Sequence, residues 1–209
     1  MIETAVVAFT AFFAIVDPIS VSALFAGMTA RATPAHRRAM ALRGTLIATV
    51  ILLAFALAGD ALLTALGITL PAMRTAGGIL LLLIGIDMVF ARHSGGSTAT
   101  EAETREGASK TDISVFPLAT PLIAGPGAMG MAILLMAGTD GDLARQVAVI
   151  LTLLTVLAIT LVLLLAAGQV QRLLGVTGLN VVSRVLGVLL TALAVQFIFD
   201  GIGGSGLLG

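Results

Sequence analysis

The sequence predicts an all-α polytopic membrane protein. Six transmembrane helices form two inverted-topology three-helix repeats, and helices 1 and 4 are broken at mid-membrane. Three observations lead there. Of 209 residues, 58% are hydrophobic and only 11% are charged, with a mean hydropathy of +1.13. A soluble domain carries about 25% charged residues, so this chain has too few to cover a surface facing water. Six stretches are long and apolar enough to span a bilayer, which takes about 20 residues. Finally, the two halves match at a nearly constant offset, with a proline in the middle of the first stretch of each.

The stretches are residues 4–28, 39–58, 70–91, 113–137, 146–168 and 181–199. The first resembles a signal peptide in position only. Its leading residues hold Glu3 but no Lys or Arg, and the apolar run is too long for one. Residues 93–112, "HSGGSTATEAETREGASKTD", hold no large apolar residue and read as a flexible solvated linker on the cytoplasmic side. The chain thus divides into a first repeat at 1–92, the linker at 93–112 and a second repeat at 113–209.

Lys and Arg set the orientation. If all six stretches span, one side holds Arg31, Arg37, Arg38, Arg43, Arg92, Arg105, Lys110, Arg172 and Arg184. The other holds Arg74 and Arg145. Nine against two puts the linker in the cytoplasm and both termini outside. A layout with stretches 1 and 4 re-entrant gives eight against three, so charge alone does not decide between them. Trp and Tyr are absent, so aromatic belts do not help.

A shift of 108 lays "IVDPISVSALFAGMT" on "IAGPGAMGMAILLMA", pairing Pro18 with Pro126 and Asp17 with Gly125. A shift of 109 lays "LAGD" (57–60) on "AAGQ" (166–169). A shift of 110 pairs Arg74 with Arg184 and Gly77 with Gly187. Three spans is an odd number, so the second copy sits upside down relative to the first. Secondary transporters recurrently use this plan, with the site where broken helices meet at the midplane.

Proline inside a helix removes a hydrogen bond and clashes with the preceding turn, costing about 3 kcal/mol or more. At the first helical position it is favoured, with Asp, Asn or Gly as the cap before it. Asp17–Pro18 and Gly125–Pro126 therefore each start a new half-helix, and Pro117 and Pro121 loosen the half preceding the second. Inversion points the two half-helix N-termini at each other. Each carries about half a positive charge and free N–H groups, and the broken ends beside them offer carbonyls. A small zwitterion fits such a pocket, its carboxylate on the N–H groups and its ammonium on carbonyls or Asp17. Ser20, Ser22, Gly127, Ala128 and Gly130 make a lining of small residues. An ionisable group this deep is a functional candidate by default, so Asp17 is a candidate for binding substrate or a coupling proton as well as a cap. For Gly127 and Gly130 the competing reading is close helix packing.

Arg74 and Arg184 are candidate gates, with snorkelling to the interface as the plainer reading. Asp87, near the cytoplasmic end of helix 3, is a coupling or gating candidate, with a pair to Arg92 or a loop arginine as the plainer reading. Gln196, a coupling or gating candidate, is expected to face the bundle, because an amide in lipid needs a partner. His36 and His93 lack metal-ligand spacing and there is no cysteine, so neither metal nor cofactor is expected. Zero net charge suggests no nucleic acid. No hydrolase, zinc-protease or phosphate-loop motif is present, so no enzyme is expected.

"VDPIS", "LPAMRTAGGILLLLIGIDM", "FPLATPLIAGPGA" and "AVQFIFDGI" together resemble the MarC family of bacterial inner-membrane proteins, over nearly the whole chain outside the linker and C-terminal tail. The resemblance implies six helices and, as for characterised members, transport of small neutral amino acids such as glycine and alanine. The family's Asn-Pro in the first helix corresponds to Asp17–Pro18. Its Gly-Pro-Gly corresponds to Gly125, Pro126 and Gly127. Its Arg-x-x-Gly-Gly corresponds to Arg74, Gly77 and Gly78, with Asp87 further along, and its Gln-Phe to Gln196 and Phe197. Asp17 departs from that pattern by being ionisable, which raises proton coupling or an amine-bearing solute.

The expected function is a secondary transporter of small neutral amino acids working by alternating access, proton-coupled through Asp17. The rivals are a passive channel for a small neutral solute and a structural or sensory membrane subunit. Glycine-rich helices also suit a homo-oligomer.

Overall fold

In hydrocarbon a backbone must satisfy its own hydrogen bonds, which favours helices. The computed structural model describes residues 2–90 and 112–206, and every regular element among them is helical. The linker therefore lies almost wholly outside the described residues, as does the boundary between the two repeats.

Helix α1 (Ile2–Val16) and α2 (Pro18–Met28) form one 27-residue span interrupted at Asp17. Helix α3 (Pro34–Ala65) starts at a Thr33 cap that accepts from the His36 amide, with proline at the first helical position. That cap explains why α3 begins earlier than apolarity alone suggests, carrying Arg37, Arg38 and Arg43 on its first turns. Thr69 caps α4 (Leu70–Val89) in the same way.

Helix α5 (Ser114–Ile123) is wound in wide turns, with Leu118 N–H donating to Ile113 O and Ala124 N–H to Ala119 O. Phe116 and Thr120 are extended, as residues preceding proline prefer, and both following X–Pro bonds are cis. Helix α6 (Pro126–Ala137) leaves α5 at a 54° bend. Helix α7 (Leu143–Leu165) is capped by Asp142. Helix α8 (Ala167–Gly203) changes direction at Gly175, whose φ of 58° suits only a residue without Cβ. Its membrane-length part is Thr177–Gly203. Among the described residues there are thus five membrane-length spans and one bent pair, up to six crossings in all.

Phe12, Phe25, Leu52, Leu118, Leu122 and Leu153 are buried between helices, while Leu46, Leu83, Val50 and Leu151 point outward and are exposed. That distribution suits a lipid surround, where apolar contact with solvent carries no penalty. The most extensive pairing is α4 with α8. Small residues one heptad apart make its seam: Gly78 meets Ala194, and Gly85 meets Gly187 and Thr191. Helix α1 packs on α7, and α5 on α3. Helix α2 packs on α7 and α8, and α6 on α3 and α4.

These contacts sort the turns into two ends. The start of α3 lies against the α7–α8 corner, where Arg37, Arg38 and Arg172 share a cleft, and Arg43 pairs with Asp112 at 3.5 Å. At the other end Arg74 lies beside Gly138, and Gly201 against Pro71 and Thr75.

Candidate functional site

Asp17 adopts φ 43° and ψ 65°, a left-handed conformation that Asp and Asn tolerate better than most residues. This departs from the usual extended cap, and hydrogen bonding explains it. The Asp17 amide completes α1 by donating to Phe13 O (3.1 Å), while its carbonyl opens α2 by accepting from Val21 N–H (3.0 Å). One residue turns the corner between two ladders. The carbonyls of Ala14, Ile15 and Val16 receive no backbone donor across this corner among the described residues. Pro18 has no N–H to give, and Ser20 gives its own to the Asp17 carboxylate at 3.2 Å.

That carboxylate is buried, at 7% exposure. Its second oxygen accepts from Ser183 Oγ of α8 at 3.1 Å. Ser183 Oγ also lies 2.6 Å from Ser20 Oγ. A hydroxyl has one proton, so with Ser183 donating to Asp17, Ser20 donates to Ser183. Asp17, Ser20 and Ser183 thus form a closed polar cluster linking the start of α2 to α8. The sequence reading missed Ser183. Its signal was weak: one hydroxyl in "NVVSRVLG", overshadowed by Arg184 beside it.

The second interruption is built differently. Gly125 caps α6 without a side chain, and its carbonyl accepts from Met129 N–H at 3.0 Å. The amides of Gly127 and Ala128 find no acceptor among the described residues, although both residues are buried. A methyl group added at Gly127 would come within 2.8 Å of Ile15 Cδ1 and 2.7 Å of Ile84 Cδ1. The uncapped start of α6 therefore lies against the last turn of α1, two residues before Asp17. At Gly127 that close contact fits the packing reading, while a Cβ at Gly130 would meet open space.

The remaining candidates fall into place unevenly. Pro18 is buried and Pro126 exposed. Ser22 is buried, but its hydroxyl donates to Ile19 O at 2.7 Å and is already used. Arg74 is half-buried near the end of α6, where a cation complements helix carbonyls, whereas Arg184 is exposed. Asp87 is half-buried in the last turn of α4, one turn beyond Ile84. Gln196 corrects an expectation. It is exposed rather than facing the bundle, and its Nε2 donates to Asp200 Oδ1 one turn on, at 2.7 Å. The local acceptor removes the need for a partner in the bundle. Among the described residues no group of His, Cys, Asp and Glu is placed to hold a metal ion.

The sequence profile described as "MarC family integral membrane protein" matches residues 2–205. The chain belongs to the MarC family. Its MarC-family relatives include the UPF0056 membrane protein MJ1677 of Methanocaldococcus jannaschii, 38% identical over 200 residues and 96% of each chain. The UPF0056 inner membrane protein YhgN of Escherichia coli is 32% identical, covering 90% of each chain. The UPF0056 inner membrane protein MarC of Citrobacter koseri is 30% identical, covering 89% of this chain and 88% of its own. No solved structure matches. Membership makes this MarC-family chain a multi-pass integral membrane protein, as its spans suggest.

Proposed function

We propose that the chain is a secondary transporter of small neutral amino acids, working by alternating access between two inverted repeats and coupled to protons through Asp17. One observation carries the reading: a buried, uncapped helix start at Gly127–Ala128 lies against a corner holding spare carbonyls and a buried carboxylate. Buried backbone groups without partners are costly, and a carboxylate is the natural ligand of a helix N-terminus. The substrate carboxylate accepts from the Gly127 and Ala128 amides. Its ammonium takes the carbonyls of Ala14, Ile15 and Val16, or the Asp17 carboxylate.

Recurrent details support the inversion. Asp17 and Gly125, 108 apart, each cap a helix that begins with proline. Thr33 and Asp142, 109 apart, cap α3 and α7. Gly67 and Gly175, 108 apart, both have positive φ before the third helix of their half. Exchanging the halves also maps α1 on α7 to α5 on α3, and α2 on α7 and α8 to α6 on α3 and α4. The positive-inside rule then puts the arginine-rich end in the cytoplasm and both termini outside, in a bacterial inner membrane.

Burial of Asp17, and the Ile15 and Ile84 side chains over Gly127, favour a carrier over an open channel. Counterflow tests this. Proteoliposomes preloaded with unlabelled alanine should take up labelled alanine faster than empty ones. Flux that is linear in concentration, without stimulation from the far side, would indicate a channel. No flux for any small amino acid would indicate a structural or sensory subunit.

A further inference from the structure

At the basic end, a cleft of about 300 Å³ opens between the first turns of α3 and the α7–α8 corner. Arg37, Arg38, Arg172 and Gln169 line it, with Pro34 and Leu165. No carboxylate lines it, and among the described residues none pairs with these three arginines. The arginine next along α3, Arg43, is paired with Asp112. Helices α3 and α8 start at the cleft and α7 ends there, so the helix dipoles partly offset one another and the arginines carry its positive charge. Guanidinium groups from two separate helices, with an amide donor between them, match the oxygens of a phosphate.

A second, apolar groove of about 400 Å³ continues from this cleft along the same two helices. On α3 the lining runs Pro34, Arg37 and Arg38, then Leu42, Thr45, Leu46 and Thr49 in an i, i+3, i+4, i+7 pattern, with Arg43, already paired with Asp112, beside Leu42. On α7 it runs Leu154, Leu157, Ala158 and Leu161, then Leu164 and Leu165, in the same pattern. Such spacing keeps each set on one helix face, so cleft and groove form one furrow, charged at its end and apolar along its length.

The geometry points to an anionic phospholipid bound in this furrow, its phosphate on Arg37, Arg38, Arg172 and Gln169 and an acyl chain along Leu42–Leu161. A soluble phosphate would use the cleft alone. The groove, apolar and open on the lipid side, assigns the site to a lipid. This site is separate from the Asp17 cluster, and its occupancy does not depend on what the protein transports.

The test uses the full chain, delipidated in an uncharged detergent. Short-chain phosphatidylglycerol, phosphatidylcholine with the same acyl chains, and inorganic phosphate are titrated while the melting midpoint is followed. Phosphatidylglycerol should raise the midpoint saturably, and at far lower concentration than the other two. Arg37→Gln and Arg172→Gln should each weaken this binding roughly tenfold, the loss expected for a charge-assisted hydrogen bond. Ala158→Phe, which fills the groove from an exposed position, should weaken phosphatidylglycerol but not phosphate. Arg145→Gln, at the other end, should change nothing, and native mass spectrometry of lipid retained on each variant gives a readout independent of stability. Equal stabilisation by phosphatidylcholine, or unchanged binding in both arginine variants, overturns the site. Equal potency of inorganic phosphate, with no effect of Ala158→Phe, overturns the lipid and leaves a soluble anion.

Discussion

Asp17 combines two demands that few residues meet: a positive φ and a side-chain acceptor for the Ser20 amide. Asn meets both, and Ala meets neither. Asp17→Asn should therefore melt close to wild type, whereas Asp17→Ala should lose roughly 2–3 kcal/mol, the sum of a lost cap and a left-handed alanine. A thermal melt in detergent reads this, and equal melts for the two variants would remove Asp17 from its structural role. Function separates them differently. If Asp17 carries the coupling proton, Asp17→Asn flattens the pH profile of uptake. Ser183→Ala should move that profile in wild type but leave it alone in Asp17→Asn, because the hydroxyl acts through the carboxylate. Independent effects of the two substitutions would break the proposed coupling. Ionisation is more plainly placed at Asp112, at the mouth of α5. The Ser114 hydroxyl and amide, at 2.6 and 2.9 Å, hold its carboxyl below the usual carboxylate range, with Arg43 helping from 3.5 Å. A depressed carboxyl stabilises the fold above its unfolded value and loses that contribution as pH falls through its folded one. Ser114→Ala should lower the melting midpoint slightly at neutral pH. The gap to wild type should begin to shrink below about pH 4 and vanish once the pH has fallen through the depressed folded value, and a gap that persists beyond that would assign the effect to packing.

The seam between α4 and α8 makes sharp demands on side-chain size. A methyl group at Gly187 would come within 2.8 Å of Met88 Cβ and 3.0 Å of two backbone atoms, Gly85 O and Val89 N. Backbone cannot step aside as a side-chain tip can, so Gly187→Ala should cost about 1–3 kcal/mol, the usual penalty of overpacking. At Gly27 nothing lies within 4 Å of an added methyl, so Gly27→Ala should melt at or slightly above wild type. Similar melts for the two variants would mean the helices slide apart without loss. The same logic ranks the second interruption: Gly125→Ala drives its methyl to 2.6 Å from Pro121 O, whereas Gly127→Ala meets only the ends of isoleucines. At this scale the sequence was most readable. Apolar length located every span, and Asp-Pro and Gly-Pro located both interruptions, because proline has one comfortable place in a helix. Less readable were the boundaries set by caps such as Thr33, and the wide turns of α5. The hydrogen bond from Ser183 was hidden for another reason. It joins residues 166 apart, and no local pattern encodes which helix face meets which.

Across the whole molecule, the contacts fix which turns share an end, and the proposed orientation rests on how charge divides between the two ends. Arg37, Arg38 and Arg172 gather at the end opposite Arg74 and Arg145. Arginines near helix ends resist translocation, so the proposed orientation puts the crowded end in the cytoplasm. The sequence contains no cysteine, which makes single introduced cysteines clean reporters. Ala35 at the start of α3, Ala144 at the start of α7 and Ser205 after α8 are all exposed. In right-side-out vesicles a membrane-impermeant maleimide should label Ala144→Cys and Ser205→Cys directly, and Ala35→Cys only after permeabilisation. Residues 35 and 144 begin equivalent helices of the two halves, so labelling on opposite faces is what an inverted duplication requires. Labelling of both from one face would make the halves parallel, and α2 and α6 could then no longer start toward each other from opposite directions. The proposed site between Asp17 and Gly127 would then lack access from two sides, and alternating access would have no mechanical basis. Reversed labelling, with Ala35→Cys outside and the other two inside, would keep the inversion and reject only the compartment assigned by the arginines.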